Sequence, residues 1–304
     1  METTARHVEC WLPDLQRFDP AHPLCALLRE GDRVTNGAQG YLGGLSAYFH
    51  YDGELPAAAL IREHLAGDAA DACWLNADPA WIQPDMSGAR LLACGHLPLG
   101  MEEAQALVEP LQAVFAEQGM ALHVSTPQRW QLRVPADMFM PHFDAPEQAL
   151  GEDLYDHLPQ GPDGRRWRVL LNEVQVLLHQ HPLNAQRRER GLPPVNSLWF
   201  WGGGVLPSHI DTALRGVIGE DLLLLALAHR AGIPAQRRTV STADAAQAGW
   251  LLDLQDQSAD AIAGEWWPCL QALSKRVPML LSFASGERCL HRPWHRWRFW
   301  RGRA

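Results

Sequence analysis

Between Asn172 and Gly204 the chain reads NEVQVLLHQHPLNAQRRERGLPPVNSLWFWGGG, and this stretch concentrates residue types that can hold an anion. An apolar helical run stops at His181-Pro182. Asn184 and the charged group Arg187, Arg188, Glu189 and Arg190 follow, closed by Gly191. Asn196 then opens an aromatic strand, Ser197–Trp201, that runs into Gly202, Gly203 and Gly204. Arginine grips phosphate or carboxylate through two parallel N–H donors. A glycine loop after a strand lets backbone N–H groups approach a phosphate. Asn184, Arg187, Arg190, Asn196, Gly202, Gly203, Gly204 and His209 are therefore the candidate ligand-binding residues. They are expected to converge on one anion-accepting pocket. The same residues have a plainer reading: a sharp turn needing positive φ at the glycines, and arginines solvating a helix end.

Other chemistry finds less support. His179 and His181 flank Gln180, but H-x-H on a helix turns the two rings to different faces, and no third ligand lies nearby. His181-Pro182 reads instead as a helix cap bonded to a backbone group. Lys275 is the only lysine, and no G-x-x-x-x-G-K-[ST] loop surrounds it, which excludes a P-loop enzyme. Gly44-Leu45-Ser46-Ala47-Tyr48 lacks the closing glycine of a nucleophile elbow, and Gly37, Gly40, Gly43 and Gly44 miss the G-x-G-x-x-G spacing. The six cysteines are scattered without a C-x-x-C pair, as suits buried thiols in a reducing compartment.

The elements that must position these residues alternate between strand and helix. Cys73–Asn76 and Arg90–Cys94 read as strands. Glu102–Gln118 reads as an amphipathic helix ending at Gly119, and Ala121–Val124 with Trp130–Val134 as two more strands. Together they make a β-β-α-β-β unit over roughly 72–134. Pro135–Gly164 holds five prolines and three glycines without a sustained period, and reads as the connection between an N-terminal lobe, 1–150, and a C-terminal lobe, 151–304. A helix over 166–181, the aromatic strand, a helix Glu220–Ala231, a strand Trp250–Leu254, a helix Asp260–Leu273 and strands Met279–Phe283 and Trp294–Trp300 complete the pattern. The fold class is α/β, a mixed sheet flanked by helices.

Several phrases carry a resemblance. The run HPxN…R…G…N-x-(aromatic)-x-x-G-x-G resembles the archaeal-type cofactor-independent phosphoglycerate mutases. It is still more similar to the bacterial RpfE-type regulatory proteins, a phosphoglycerate-mutase-like family. Trp74-Leu75-Asn76-Ala77-Asp78-Pro79, Arg129-Trp130-Gln131-Leu132 and Leu158-Pro159 with Gly161 before Trp167 point the same way. The likeness is strong over about 70–207 and loose elsewhere. It implies a reduced alkaline-phosphatase-superfamily arrangement with a mutase-like lid. Catalysis in that superfamily implies two metal ions held by Asp and His near both chain ends, which would activate the attacking hydroxyl and clamp the phosphoryl group. Here the opening is Trp11-Leu12-Pro13-Asp14 and the closing segment is Ser285-Gly286-Glu287-Arg288. The expectation is a pseudoenzyme with no metal and no cofactor. It would be a regulatory or ligand-binding protein that keeps a mutase-like lobe for a small anionic, phosphorylated metabolite. A metal-dependent phosphotransferase or hydrolase with rearranged ligands, and a protein-interaction adaptor, are the alternatives.

Charge and composition set the partners. Net charge is −9. Residues 291–304 carry five of the 26 basic residues and no acid, so the first 290 hold 21 basic against 35 acidic, or −14. This argues against a general nucleic-acid surface. The clean alternation of Trp294–Trp300 predicts an edge strand that buries Trp297 and Phe299, against the rival reading of a base-stacking or membrane-seeking tail. No apolar run reaches the ~20 residues of a membrane span, and Glu2, Arg6, His7 and Glu9 stand where a secretory core would lie. A cytoplasmic protein without membrane or nucleic-acid partners is expected.

Overall fold

The computed structural model describes residues 7–84 and 88–298. Two compact units divide the chain, and neither boundary falls at residue 150: Met1–Tyr51 joins His209–Ala304, and Asp52–Ser208 forms the other. The Pro135–Gly164 stretch lies inside the second unit rather than between lobes.

The first unit is built on a seven-stranded mixed sheet. Its order is Ala235–Arg237, Gly216–Gly219, Trp250–Asp253, Val8–Leu12, Met279–Phe283, Arg288–His291 and Asp32–Val34. The first five run parallel; Arg288–His291 runs against both of its neighbours, Met279–Phe283 and Asp32–Val34. Val8–Leu12 sits in the middle and is buried throughout, as a parallel strand covered on both faces must be. One face packs Val8, Cys10 and Leu12 with Ile218, Leu252, Leu281, Leu270 and Leu273 into the core of this unit. The other lies under the Tyr41–Tyr48 helix, where Gly44 permits the approach: a Cβ there would sit 2.4 Å from the Trp11 ring.

The second unit contains the expected β-β-α-β-β run. Cys73–Pro84 is its central strand. Ala89–Cys94 and Arg129–Val134 pair along one edge, Ser197–Val205 along the other, all antiparallel, and Ala121–Thr126 follows Arg129–Val134. The expected Glu102–Gln118 helix is two helices, Met101–Val108 and Leu111–Glu117. Pro110 supplies no N–H to continue the ladder. Leu107, Leu111, Phe115, Trp130 and Leu132 meet Trp167, Val174 and Leu178 of the Gly161–Gln180 helix in a second core.

The C-terminal strand is an error of register and type. Among the described residues the last strand is Arg288–His291, after a turn at Gly286. Pro293–Trp297 is then a 3₁₀ turn with Pro293 at its start, and Trp297 is 59 % exposed rather than buried. A residue with φ fixed by its ring suits the first position of a helical turn and cannot feed a strand ladder. Phe299 and Trp300 lie outside the described residues.

Asp78 is wholly buried and is held by Arg129 Nη1 at 2.5 Å, the indole N–H of Trp201 at 2.7 Å and a backbone hydrogen bond from Trp130. Replacing Arg129 by Met removes the charge that pairs with that carboxylate and leaves it neutral donors. The variant is expected to lose about 3 kcal/mol in urea unfolding, the usual cost of breaking a buried pair from one side. A loss within a few tenths of that of an exposed arginine would show that the pair is dispensable.

Candidate functional site

The predicted anion-binding residues are satisfied by the protein itself. Asn184 is buried; its amide donates to Leu178 O and Val195 O and accepts from Val195 N–H. Asn196 pairs with both backbone groups of Ile82, acting as a strand neighbour where the Ser197–Val205 strand has not yet begun. Arg187 is fully buried and gives Nε to Pro193 O, Nη2 to Pro98 O and Nη1 to Glu103 at 2.8 Å. Arg190 is exposed and touches the other oxygen of Glu103. His181 does cap the helix after it, accepting from Leu183 N–H.

The glycines continue the strand instead of forming a loop beyond it. Asn76 faces Trp201 and Trp74 faces Gly204, so one extra residue sits in the ladder as a bulge. Gly202 has φ +62, and a Cβ there would lie 2.7 Å from Ala57. Close helix packing and positive φ explain it. At about 3.3 Å per residue, Gly202 is roughly 20 Å along the strand from Asn196, so these residues do not share one pocket. His209 belongs to the other unit, exposed and bonded to Asp211.

A different cluster forms in the first unit. Strand pairing sets Trp11, Ser282 and Arg288 side by side across three strands, and Glu9 lies two residues before Trp11 on the same face. The Tyr41–Tyr48 helix covers that face, with Tyr41 stacked on Trp11 and Tyr48 edge-on to it. Glu9 is 8 % exposed. Its Oε1 accepts from Tyr48 Oη at 2.9 Å and Ser282 Oγ at 2.7 Å, and lies 3.6 Å from Arg288 Nη2. Arg288 Nε also donates to Ser282 Oγ. Burial pushes the Glu9 carboxyl up, but hydrogen bonds from His7, Ser282 and Tyr48 and the charge of Arg288 outweigh it and hold the group below its ordinary value. Burial and the Glu9 charge push the Tyr48 phenol well up, so it stays a donor. Beside this quartet is a cavity of about 190 Å³, lined also by His50, Leu214 and Gly286. The cavity is small for a ligand site, below the roughly 300 Å³ at which drug-sized pockets begin. Sequence reasoning missed it, yet one signal was present: a glutamate inside the apolar run VECWL needs a built set of partners.

The chain was compared with known proteins. No family model matches it. A 2,3-bisphosphoglycerate-independent phosphoglycerate mutase from Methanothrix thermoacetophila is 35 % identical over 84 residues, covering 26 % of this chain and 21 % of the relative. The Methanosarcina mazei enzyme of that name is 28 % identical over 175 residues, covering 56 % and 41 %. Its homologues are archaeal-type cofactor-independent phosphoglycerate mutases, at modest identity. The chain thus spans less than half the length of the curated relatives it matches. Among solved structures, the cofactor-independent phosphoglycerate mutase of Thermoplasma acidophilum aligns over 94 % of this chain and 90 % of its own, with TM-score 0.41 and 13 % identity.

The resemblance places metal ligands near both chain ends, and those segments do meet: Ala284 N–H bonds Leu12 O, and Leu15 N–H bonds Ser285 Oγ. They bring Asp14 and Glu287, and the hydroxyl of Ser285 donates to Glu287. Among the described residues no three His, Cys, Asp or Glu side chains are placed to hold an ion, so a two-metal centre does not fit them. The nearby acids are otherwise engaged. Asp221 caps the Leu222–Arg230 helix and takes the hydroxyl of Tyr41, while Asp256 pairs with Arg238. Asp253, at the end of the Trp250–Asp253 strand, is fully buried, and its Oδ2 has no partner. Burial, with the charges of Asp221 and Asp256, pushes it up to about 7.

A carboxyl whose folded value exceeds its unfolded one weakens the fold as pH rises between the two, because only the folded state keeps the proton. Stability should therefore fall from about pH 4 to about pH 7 on account of Asp253, by up to roughly 1.4 kcal/mol per unit. Asp253→Asn is expected to unfold at higher urea than the parent at pH 8 and at nearly the same urea at pH 4.5. Equal destabilisation at both values would contradict the assignment.

Proposed function

We propose that this chain is a non-catalytic regulatory or ligand-binding protein of the RpfE type, built on a phosphoglycerate-mutase-like scaffold. The single observation behind this reading is the Glu9–Tyr48–Ser282–Arg288 quartet beside its small cavity. Arg288 is partly exposed, and among the described residues its terminal nitrogens have the 3.6 Å contact with Glu9. They are free to take a phosphate or carboxylate. Among the described residues Glu9 Oε2 faces His7 Nε2, at 3.9 Å. Ionised, it is an acceptor for a hydroxyl. The pair suits a small anion that also carries a hydroxyl, such as a phosphorylated hydroxy acid. The mismatch between the chain-end residues and a two-metal centre supports binding without phosphoryl transfer.

Titration calorimetry with 3-phosphoglycerate, inorganic phosphate and glycerate tests the reading. The doubly functional ligand should bind best, with or without Mn²⁺, and no 2-phosphoglycerate should form. Arg288→Gln should weaken binding tenfold or more, since hydrogen bonds to a charged group contribute about 1.5–3 kcal/mol. Turnover in Mn²⁺ would favour the metal-dependent mutase instead. Unchanged binding by the variant would move the site elsewhere.

A further inference from the structure

Two grounds stood against nucleic acid, the acidic body and a strand burying Trp297 and Phe299; the first remains, while Trp297 is exposed on a 3₁₀ turn. Of the tryptophans among the described residues, only Trp294 and Trp297 are exposed, at 53 % and 59 %. They stand three residues apart on the Pro293–Trp297 3₁₀ turn. Such a turn has three residues per revolution, so the two residues lie on one side of it. Each ring is steadied on one face. Arg298 lies over Trp294 at 4.6 Å and Arg296 over Trp297 at 5.2 Å, while His295, fully buried, meets Trp294 edge-on. Asp32 anchors the base of the turn through Arg298 and Arg292.

The charge here is opposite to that of the chain. Residues 292–298 carry Arg292, Arg296 and Arg298 with no acid, against −9 overall. Asp32 and Glu30 on the adjoining segment take up Arg292, Arg298 and His291, which leaves Arg296 as the exposed cation beside the two indoles. We propose that this turn is a docking surface for single-stranded nucleic acid, with bases stacking on the open faces of Trp294 and Trp297 and Arg296 meeting a phosphate. Stacking needs only flat aromatic faces and nearby cations. An anionic membrane is the poorer fit, because lying in the lipid interface takes a broad apolar face and this turn offers two side chains.

Fluorescence anisotropy with a labelled oligothymidine of about 15 nucleotides tests the proposal. The intact protein should bind it and quench tryptophan emission. Plotted against salt, log affinity should fall with a slope of about −0.7, as expected for one phosphate met by Arg296 on a single strand. Trp294→Ala with Trp297→Ala should weaken binding tenfold or more while leaving the melting temperature unchanged, since both rings are exposed. Arg296→Ala should make the slope shallower by about 0.7. Unaltered affinity in the double tryptophan variant would overturn the proposal. So would binding to phosphatidylserine vesicles without binding to the oligonucleotide.

Discussion

A charge taken out of water must find its partners inside the protein, and the first unit is arranged around one such charge. Glu9 lies in a strand whose five residues are all buried. An unpaired carboxylate there would cost several kcal/mol. Its partners come from positions 39 and 273 residues away, Tyr48 on a covering helix and Ser282 on the neighbouring strand. Satisfying it requires that the Val8–Leu12 and Met279–Phe283 strands pair in one register, because a slip of one residue would turn Ser282 to the opposite face. It also requires the Tyr41–Tyr48 helix to lie close, which Gly44 permits. The second unit meets the same demand with Asp78, Arg129 and Trp201, and again with Arg187 and Glu103.

The sequence made local structure legible and long-range structure much less so. The β-β-α-β-β run and the strand Met279–Phe283 follow from patterns within a few residues. The division of the chain does not, because Val8–Leu12 pairs with strands that begin at Trp250 and Met279, and no composition shift marks a partner so distant. The 135–164 stretch looked like a linker because its prolines and glycines break any sustained period.

The candidate site failed for a different reason. Asn184, Asn196 and Arg187 carry the same donors and acceptors whether the partner is a ligand or a backbone carbonyl. In this chain the carbonyls of Leu178, Val195, Ile82, Pro98 and Pro193 take them. Similarity to the mutases over this stretch therefore includes residues that build the unit. The tail was misread because an i, i+2 alternation says nothing about a proline at the start, and Pro293 sets a helical turn.

Whether Glu9 is a built, ionised acceptor is the question on which the ligand-binding account rests, and a carbon-detected NMR titration of its side-chain carboxyl answers it most directly. With Tyr48, Ser282, His7 and Arg288 in place the midpoint should lie below 4.5, the ordinary glutamate value, and should rise in Arg288→Gln. A midpoint above 4.5 in the intact protein would mean that burial outweighs those partners. Glu9 would then be a protonated structural group, with no charge to offer a ligand.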